Sequence, residues 1–318
     1  MREVKNRDHW SHYKEEVKTY LPLKFTLFLF KILPIVCLRI FTFPVGFFYY
    51  MISKRARNES KRYLEKMKSE TGKRLHPLFH IIAFSLTLVE KIEGWAGNQN
   101  LGNRIHYQKD DVDELINLVT NGKGVFLIAS HLGNIEFARA LADIGGAKNK
   151  SSIPITVIVD FSVTSRFNQM LKELNAKSMT RIISANNVGP DTVIMLIDKL
   201  ENGELVSIAG DRTSAHTNKC VIVPFLGADA PFAYGPFLLS ALLNVPTFFA
   251  FALRRKDVSL SCEYDMHIHR SAINFDCSRK EREQRIKELA KNYVHYLQLY
   301  CKEHPYQWYN FFDFWGAK

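Results

Sequence analysis

Residues 131–136 read HLGNIE and bring together two side chains that could carry acid–base chemistry, His131 and Glu136. The preceding run GVFLIAS is apolar, which predicts a buried strand that ends just before the histidine. Successive residues on a helix are rotated by about 100°, so two residues five apart do not share a face of one straight helix. The pair can meet only if His131 lies in a turn before a helix and Glu136 in its first turns. Gly133 and Asn134 supply the turn-compatible backbone that this arrangement requires.

Such a pair would suit general base catalysis. The Glu136 carboxylate would accept one imidazole N–H of His131, fix its tautomer and stabilise the imidazolium when the other ring nitrogen takes a proton. Taken alone, the stretch is more typical of a structural histidine at the end of a strand. The sequence contains no G-x-S-x-G elbow, P-loop or G-x-G-x-x-G motif, so a serine nucleophile and nucleotide binding gain no support.

The elements around this stretch predict an α/β fold. From residue 124 onward, short Val- and Ile-rich runs alternate with segments that have apolar residues at helical spacing. The runs GVFLIAS, ITVIVD, TRIIS, ELVSIAGD, TFFAFAL and SLSCEYDMHIH are predicted strands. Alternation of this kind favours a largely parallel or mixed central sheet flanked by helices. Ligands of such sheets bind beyond the carboxyl ends of the strands, where His131 is expected.

Composition excludes several classes of protein and site. Of the 318 residues 47% are hydrophobic, enough for a large core, and the five cysteines form no C-x-x-C pair. A disulfide framework and a zinc ribbon are therefore not predicted. His267 and His269 alternate on a predicted strand, but no carboxylate or cysteine partner is obvious. We expect them on a solvent-exposed face, and we expect no metal.

The positive charge is concentrated near the N-terminus. The chain carries +11, and residues 1–74 contain 17 Lys+Arg against 7 Asp+Glu. A nucleic-acid binder usually carries its basic patch on the folded body, whereas this segment also holds the strongest apolar run, residues 21–52. The combination indicates a membrane surface and no nucleic acid. We divide the chain into a basic, apolar membrane-associating segment, 1–75, and one α/β domain, 76–318.

Three arrangements of the apolar run remain open. An interfacial or re-entrant anchor is favoured over a single membrane span, because Arg39 lies within the run and a central arginine costs about 2.5–3.5 kcal/mol to insert. An ordinary buried helical hairpin is the third. In both membrane arrangements the basic residues 53–62 follow on the cytoplasmic side.

Further motifs lie downstream of HLGNIE in a fixed order. GELVSIAGDR ends a predicted strand on Asp211 and Arg212, VPFLGADAPFAYGPFLLSALLNVP follows at 223–246, and HPYQWYNFFDFW occupies 304–315. Together with the H-x4-[D/E] motif at 131–136, this set resembles the bacterial lysophospholipid acyltransferase superfamily, specifically its lipid A biosynthesis late-acyltransferase branch. The resemblance extends over nearly the whole chain.

The resemblance implies transfer of a fatty acyl chain from acyl carrier protein, or acyl-CoA, to a hydroxyl of a glycolipid. It places the enzyme at the cytoplasmic face of the bacterial inner membrane, and we expect a monomer without a bound cofactor. His131 would be the general base and Glu136 its orienting carboxylate, while Asn134 and backbone amides after His131 are candidates for the oxyanion. Arg166 and Arg212 could bind phosphates of either substrate. Asp211 is a further candidate substrate-binding residue, or it holds the strand end by pairing with a neighbouring arginine.

Two alternatives remain. The pair could instead activate water, which would make the protein a lipid or thioester hydrolase. The aromatic tail and the form SHLGNIE are closer to outlying members of the branch, which are thought to acylate polyene- or ornithine-type conjugates. We expect the tail itself to be an aromatic cluster that closes the core rather than a substrate-binding segment.

Overall fold

A seven-stranded mixed sheet forms the centre of the molecule, as predicted. The computed structural model describes residues 21–95, 104–107, 109–134, 154–160, 181–213 and 219–316. The strands are β1 (Ile105–Tyr107), β2 (Val125–Ala129), β3 (Ile155–Val159), β4 (Ile182–Ser184), β5 (Leu205–Ala209), β6 (Cys220–Phe225), β7 (Ala228–Ala233), β8 (Thr247–Arg254) and β9 (Tyr264–Arg270). The sheet order is β1-β9-β8-β2-β5-β3-β4. Neighbours are parallel except β8 and β9, and β6 and β7 form a separate antiparallel hairpin.

Helices cover this sheet. In the described part of the chain they are α1 (Leu21–Ile32), α2 (Ile35–Ile52), α3 (Lys54–Thr71), α4 (Pro77–Trp95), α5 (Lys109–Thr120), α6 (Pro190–Glu201), α7 (Tyr234–Leu243) and α8 (Arg279–Glu303). Local signals explain their ends. Ser278 and Glu281 form a capping box at the start of α8, and α3 ends at Gly72 in the left-handed conformation.

Strand β2 lies at the centre of the sheet, and all five of its residues are buried. Phe126 and Ile128 point into a core built with α3, α6, α7 and α8, whereas Val125 and Leu127 point into a second core with α5 and β9. A strand covered on both faces reads as a continuous apolar run, which is why GVFLIAS carried a clear signal in the sequence.

The histidines of β9 correct one expectation. His269 stacks on Tyr296 of α8 with 4.0 Å between ring centroids, and His267 lies 4.4 Å from the ring of Tyr300. Burial lowers the pKa of His267 to about 4. The expected solvent-exposed face is wrong, because α8 covers this side of β9 with tyrosine rings.

Helix α2 is attached to the rest of the fold mainly by α4. Helix α2 is the one helix among the described residues that is long and apolar enough to cross a membrane. Its Arg39, Thr42 and Gly46 are buried, and Gly46 meets Ile82 of α4. Helix α3 adds Tyr63 and other residues to the main core. The division of the chain at residue 75 stays a prediction.

Candidate active site

The parallel register of β2 and β5 brings His131 next to Asp211. Ala129 pairs with Ala209, and each of the two side chains stands two residues beyond its strand. The backbone N–H of Gly210 donates to the carbonyl of Ala129 at 2.8 Å, which extends the pairing by one step. The two residues are 80 positions apart in sequence, and they meet because neighbouring parallel strands end at the same edge.

The Asp211 carboxylate is fully buried and receives three N–H groups. Its Oδ1 lies 2.8 Å from His131 Nδ1, and its Oδ2 accepts the backbone N–H of His131 at 2.9 Å and the indole N–H of Trp308 at 2.9 Å. An ionised carboxylate can only accept, so Nδ1 of His131 carries the proton. The lone pair of the imidazole is then on Nε2, and 31% of the His131 side chain is exposed.

The electrostatic environment supports this protonation state. Burial lowers the pKa of His131, and the charge of Arg212 lowers it further against the opposing effect of Asp211. Burial by itself raises the pKa of Asp211. The charge and hydrogen bonds of His131, together with Arg212, outweigh burial and hold the pKa of Asp211 below its ordinary value. An ionised aspartate beside a neutral imidazole is therefore the favoured state near neutral pH.

Residues 131–134 form a tight connection after β2. Gly133 has φ = +73°, and a Cβ there would lie 2.0 Å from the carbonyl oxygen of Ala252 on β8. Its N–H donates to the Gln307 carbonyl at 2.9 Å, and the N–H of Asn134 donates to Ala252 at 2.9 Å. Gly133 is thus the residue that allows the loop to pass directly over β8.

The same hydrogen bonds correct the expectation for backbone amides in the loop. The N–H of His131 is bound to Asp211, that of Leu132 to Ser130 Oγ at 3.1 Å, and those of Gly133 and Asn134 to backbone carbonyls. These four N–H groups are all donated within the protein, so the prediction that backbone amides after His131 face an oxyanion is wrong for residues 132–134. Asn134 is fully buried, and its substrate-binding role stays a prediction.

The C-terminal segment closes the site from the other side. Arg212 donates from Nε to Asn310 Oδ1 and from Nη2 to the Tyr309 carbonyl, both at 2.8 Å, and its guanidinium lies 5.9 Å from the ring of Phe312. Burial lowers the pKa of Arg212 to about 10. The structure thus attaches Arg212 to this segment, and its phosphate-binding role stays a prediction.

The aromatic tail packs into the core, as predicted, and it also contacts the active site. Trp308 is fully buried and packs edge to face against Tyr63, Phe225 and Phe314, which confirms the expected aromatic cluster. The same indole N–H reaches Asp211. The Gln307 side chain binds the backbone of Arg254 on β8: its Oε1 accepts the Arg254 N–H and its Nε2 donates to the Arg254 carbonyl, both at 2.8 Å. The sequence offered HPYQW as a motif, but no residue pattern indicated its contact with the strand ends.

Two of the six predicted site residues, Glu136 and Arg166, lie outside the described residues. The structure brings His131, Asp211 and Arg212 together at the carboxyl ends of β2 and β5, and it holds Asn134 against β8 through the hydrogen bond to Ala252. It also adds residues that sequence reasoning missed. Trp308 contacts the carboxylate, and the charge of Lys91 on α4 lowers the pKa of His131.

Comparison with known proteins agrees with this architecture. The family model described as bacterial lipid A biosynthesis acyltransferase matches residues 19–315, nearly the whole chain. A search of curated proteins found no match. The chain belongs to the bacterial lipid A biosynthesis acyltransferase family and is an acyltransferase.

Proposed function

We propose that this protein transfers a fatty acyl chain from acyl carrier protein, or acyl-CoA, to a hydroxyl of a lipid A-like glycolipid or another membrane lipid. The observation that carries the proposal is the His131–Asp211 pair at the end of β2 and β5. It presents a neutral imidazole with its free lone pair on Nε2, in a family whose members are acyltransferases. The same arrangement favours removal of a proton from a hydroxyl group.

The reaction follows from this geometry. Nε2 of His131 accepts the proton of the acceptor hydroxyl as the hydroxyl oxygen attacks the thioester carbonyl. The tetrahedral intermediate then collapses, the C–S bond breaks, and the proton held by His131 passes to the departing thiolate. Because a thioester carbonyl is already reactive, no acyl-enzyme is needed. Asp211 stabilises the imidazolium that forms between the two proton transfers, since its carboxylate accepts the Nδ1 hydrogen.

The other predicted residues have places in this proposal. Glu136 follows His131 closely enough to act as a second carboxylate near the base, and Arg166 and Arg212 are cations suited to phosphates of the donor or acceptor. Asn134 is the candidate side chain for the oxyanion. The donor, a thioester-linked carrier, and the cytoplasmic face of the inner membrane are further parts of the proposal. Residues 53–62, which follow α2, carry five Lys and Arg residues, and this cationic stretch supports that orientation.

The test replaces His131 by alanine. We expect a fall of roughly 10²–10⁴-fold in acyl transfer from labelled acyl carrier protein, because a general base contributes about that factor. His295→Ala serves as the matched control, since His295 is exposed on α8 and should leave the rate unchanged. A His131→Ala enzyme with normal activity would rule out the base assignment.

Product analysis of the same reaction separates transfer from hydrolysis. Mass spectrometry should find the acyl chain on a membrane lipid, and the mass of that lipid identifies the acceptor class, lipid A-like or polyene- or ornithine-type. Free fatty acid without acylated lipid would contradict acyl transfer and indicate the hydrolase.

A further inference from the structure

Helix α2 has two sharply different sides. Eight large apolar residues are at least 50% exposed, and at 100° per residue they cover about half of the helix circumference. We call these residues the α2 apolar face: Val36, Ile40, Phe41, Val45, Phe47, Phe48, Met51 and Ile52. The opposite side is buried and is formed by Leu38, Arg39, Thr42 and Gly46. Soluble monomers rarely expose an apolar patch of this size, so we expect another molecule to bury the α2 apolar face.

Arg39, the charge that argued against membrane insertion, is not on the α2 apolar face. Its side chain is only 5% exposed, and its Nη2 lies 2.7 Å from Glu93 Oε2 while its Nε lies 3.8 Å from Glu90 Oε1. The arginine is thus neutralised inside the protein by two carboxylates of α4. The exposed side of the helix consequently carries no charge along its length.

Helix α4 in turn belongs to the folded body that holds the active site. Glu90 binds Arg254 of β8 at 2.8 Å. His80 donates from Nε2 to the Trp308 carbonyl at 2.9 Å, and Thr87 hydrogen-bonds the Tyr309 hydroxyl at 2.7 Å. These contacts fix α4 against the sheet and the tail.

Helix α2 follows α4 closely and in the opposite direction. Arg39 meets the end of α4 at Glu93, Gly46 meets Ile82, and Tyr50 lies 5.7 Å from the ring of His76 just before α4 begins. Eighteen residues span roughly 27 Å, close to the ~30 Å hydrocarbon thickness, so length alone would permit a membrane span. A span, however, would draw α4 with its buried ion pairs and attached strand into the hydrocarbon region.

We propose that α2 is monotopic: its apolar face enters one leaflet of a lipid bilayer, and both ends of the helix stay on the same side of the membrane. The positive charges at the two ends of α2 support a lipid bilayer as the partner that covers the α2 apolar face. Lys31 before the helix and Lys54 after it are exposed and can reach anionic headgroups from the two ends of the apolar face. This inference goes beyond the proposed reaction and does not depend on it, because it concerns only how the protein meets the membrane.

Topology gives the first test. The full chain carries an epitope tag before Met1, and intact spheroplasts and inside-out vesicles are treated with protease. A monotopic α2 keeps the tag protected in spheroplasts and exposes it in inside-out vesicles, together with the catalytic domain. Cleavage of the tag in intact spheroplasts would place the two ends on opposite sides and overturn the proposal.

Flotation with vesicles of phosphatidylethanolamine and phosphatidylglycerol tests the face itself. The double variant Val45→Glu/Phe48→Glu should weaken vesicle binding by roughly 10²-fold or more, because two apolar side chains lose their burial in lipid. Asn58→Glu/Ser69→Glu adds the same charge at exposed positions of α3 and should weaken binding far less. Equal loss in both variants, or none in the first, would contradict a lipid-inserted α2 face. Circular dichroism confirms that each variant is folded, and neither readout involves acyl transfer.

Discussion

The indole of Trp308 is the residue-scale contact with the clearest functional consequence. It donates its N–H to the same carboxylate oxygen of Asp211 that accepts the His131 backbone N–H, and the other oxygen faces the imidazole. A donor that stabilises the carboxylate charge leaves less of that charge to stabilise the imidazolium. Trp308 therefore moderates the basicity of His131 through Asp211, without touching His131 through its side chain.

Trp308→Phe tests this relation. The variant keeps an aromatic ring but removes the N–H, so Asp211 becomes a stronger partner and the pKa of His131 rises. In wild type, burial and the charge of Arg212 hold the pKa of His131 below its ordinary value, so the proposed base stays neutral to a lower pH than an ordinary histidine. The acidic limb of the kcat/KM profile should therefore move to higher pH in the variant.

Trp315→Phe is the matched control, because that indole donates to the Phe225 carbonyl at 3.3 Å and not to Asp211. Trp315→Phe should leave the pH of the acidic limb of the kcat/KM profile unchanged. An unchanged limb in Trp308→Phe, with activity merely lowered, would show that Trp308 acts only through packing.

The positions of His131 and Asp211 at strand ends were predictable from the sequence, but their contact with each other was not. HLGNIE marked His131 as a base at a strand end, and Asp211 stood out at the end of a second strand. Their pairing depends on the register of two parallel strands, and the apolar pattern of a strand carries no information about register with a distant strand. The H-x4-E motif pointed to Glu136 as the carboxylate partner of His131, so the contact with Asp211 was not predicted.

At the scale of elements, the loop after β2 depends on one glycine. Gly133→Ala should lower both activity and stability, because the left-handed conformation costs roughly 1–2 kcal/mol for a residue with a Cβ and the added atom would meet the Ala252 carbonyl at 2.0 Å. Displacement of the loop also moves His131 relative to Asp211.

Gly72→Ala isolates the conformational part of this cost, since Gly72 has φ = +69° and a Cβ there meets nothing within 4 Å. Chemical denaturation should show a loss of about 1 kcal/mol for Gly72→Ala and a clearly larger loss for Gly133→Ala. Equal losses, with full activity in both, would show that the close approach to β8 is unimportant.

Most strands of the central sheet followed from the sequence, including the three-residue β4, whereas β1 and the hairpin β6–β7 did not. The runs GVFLIAS, ITVIVD, TRIIS, ELVSIAGD, TFFAFAL and SLSCEYDMHIH predicted the strands β2, β3, β4, β5, β8 and β9. The hairpin β6–β7 was treated only as a motif, since Pro224, Gly227 and Pro231 are typical of loops. Proline is tolerated in strands at edges, and this hairpin lies outside the central sheet. Strand β1 has three residues, too few for a periodic signal.

At the scale of the whole molecule, a buried ionic cluster joins the N-terminal helices to the sheet. Arg39 of α2, Glu90 and Glu93 of α4 and Arg254 of β8 are linked in a chain of ion pairs. Arg39→Met should cost about 3–5 kcal/mol of unfolding free energy, because it leaves a buried carboxylate without one of its cations.

Lys31→Met removes an exposed lysine from the same segment and should change stability by no more than about 0.5 kcal/mol. Urea denaturation in detergent measures both variants. If Arg39→Met unfolds at the wild-type urea concentration, the cluster is not what holds α2 to the fold.

The contact of residues 307–310 with the strand ends also sets an order of assembly. A ribosome delivers His131 and Asp211 long before Gln307, Trp308 and Asn310, and the N-terminal helices earlier still. When the last strand of the sheet has been synthesised, Asp211 still lacks its indole donor and Arg212 lacks its two acceptors on the tail. The hydrogen bonds around Asp211 and Arg212 are therefore complete only once residues 307–310 have been added. A polypeptide cut before residue 307 would contain every strand of the sheet but would lose the bonds from Trp308 to Asp211 and from Arg212 to Tyr309 and Asn310.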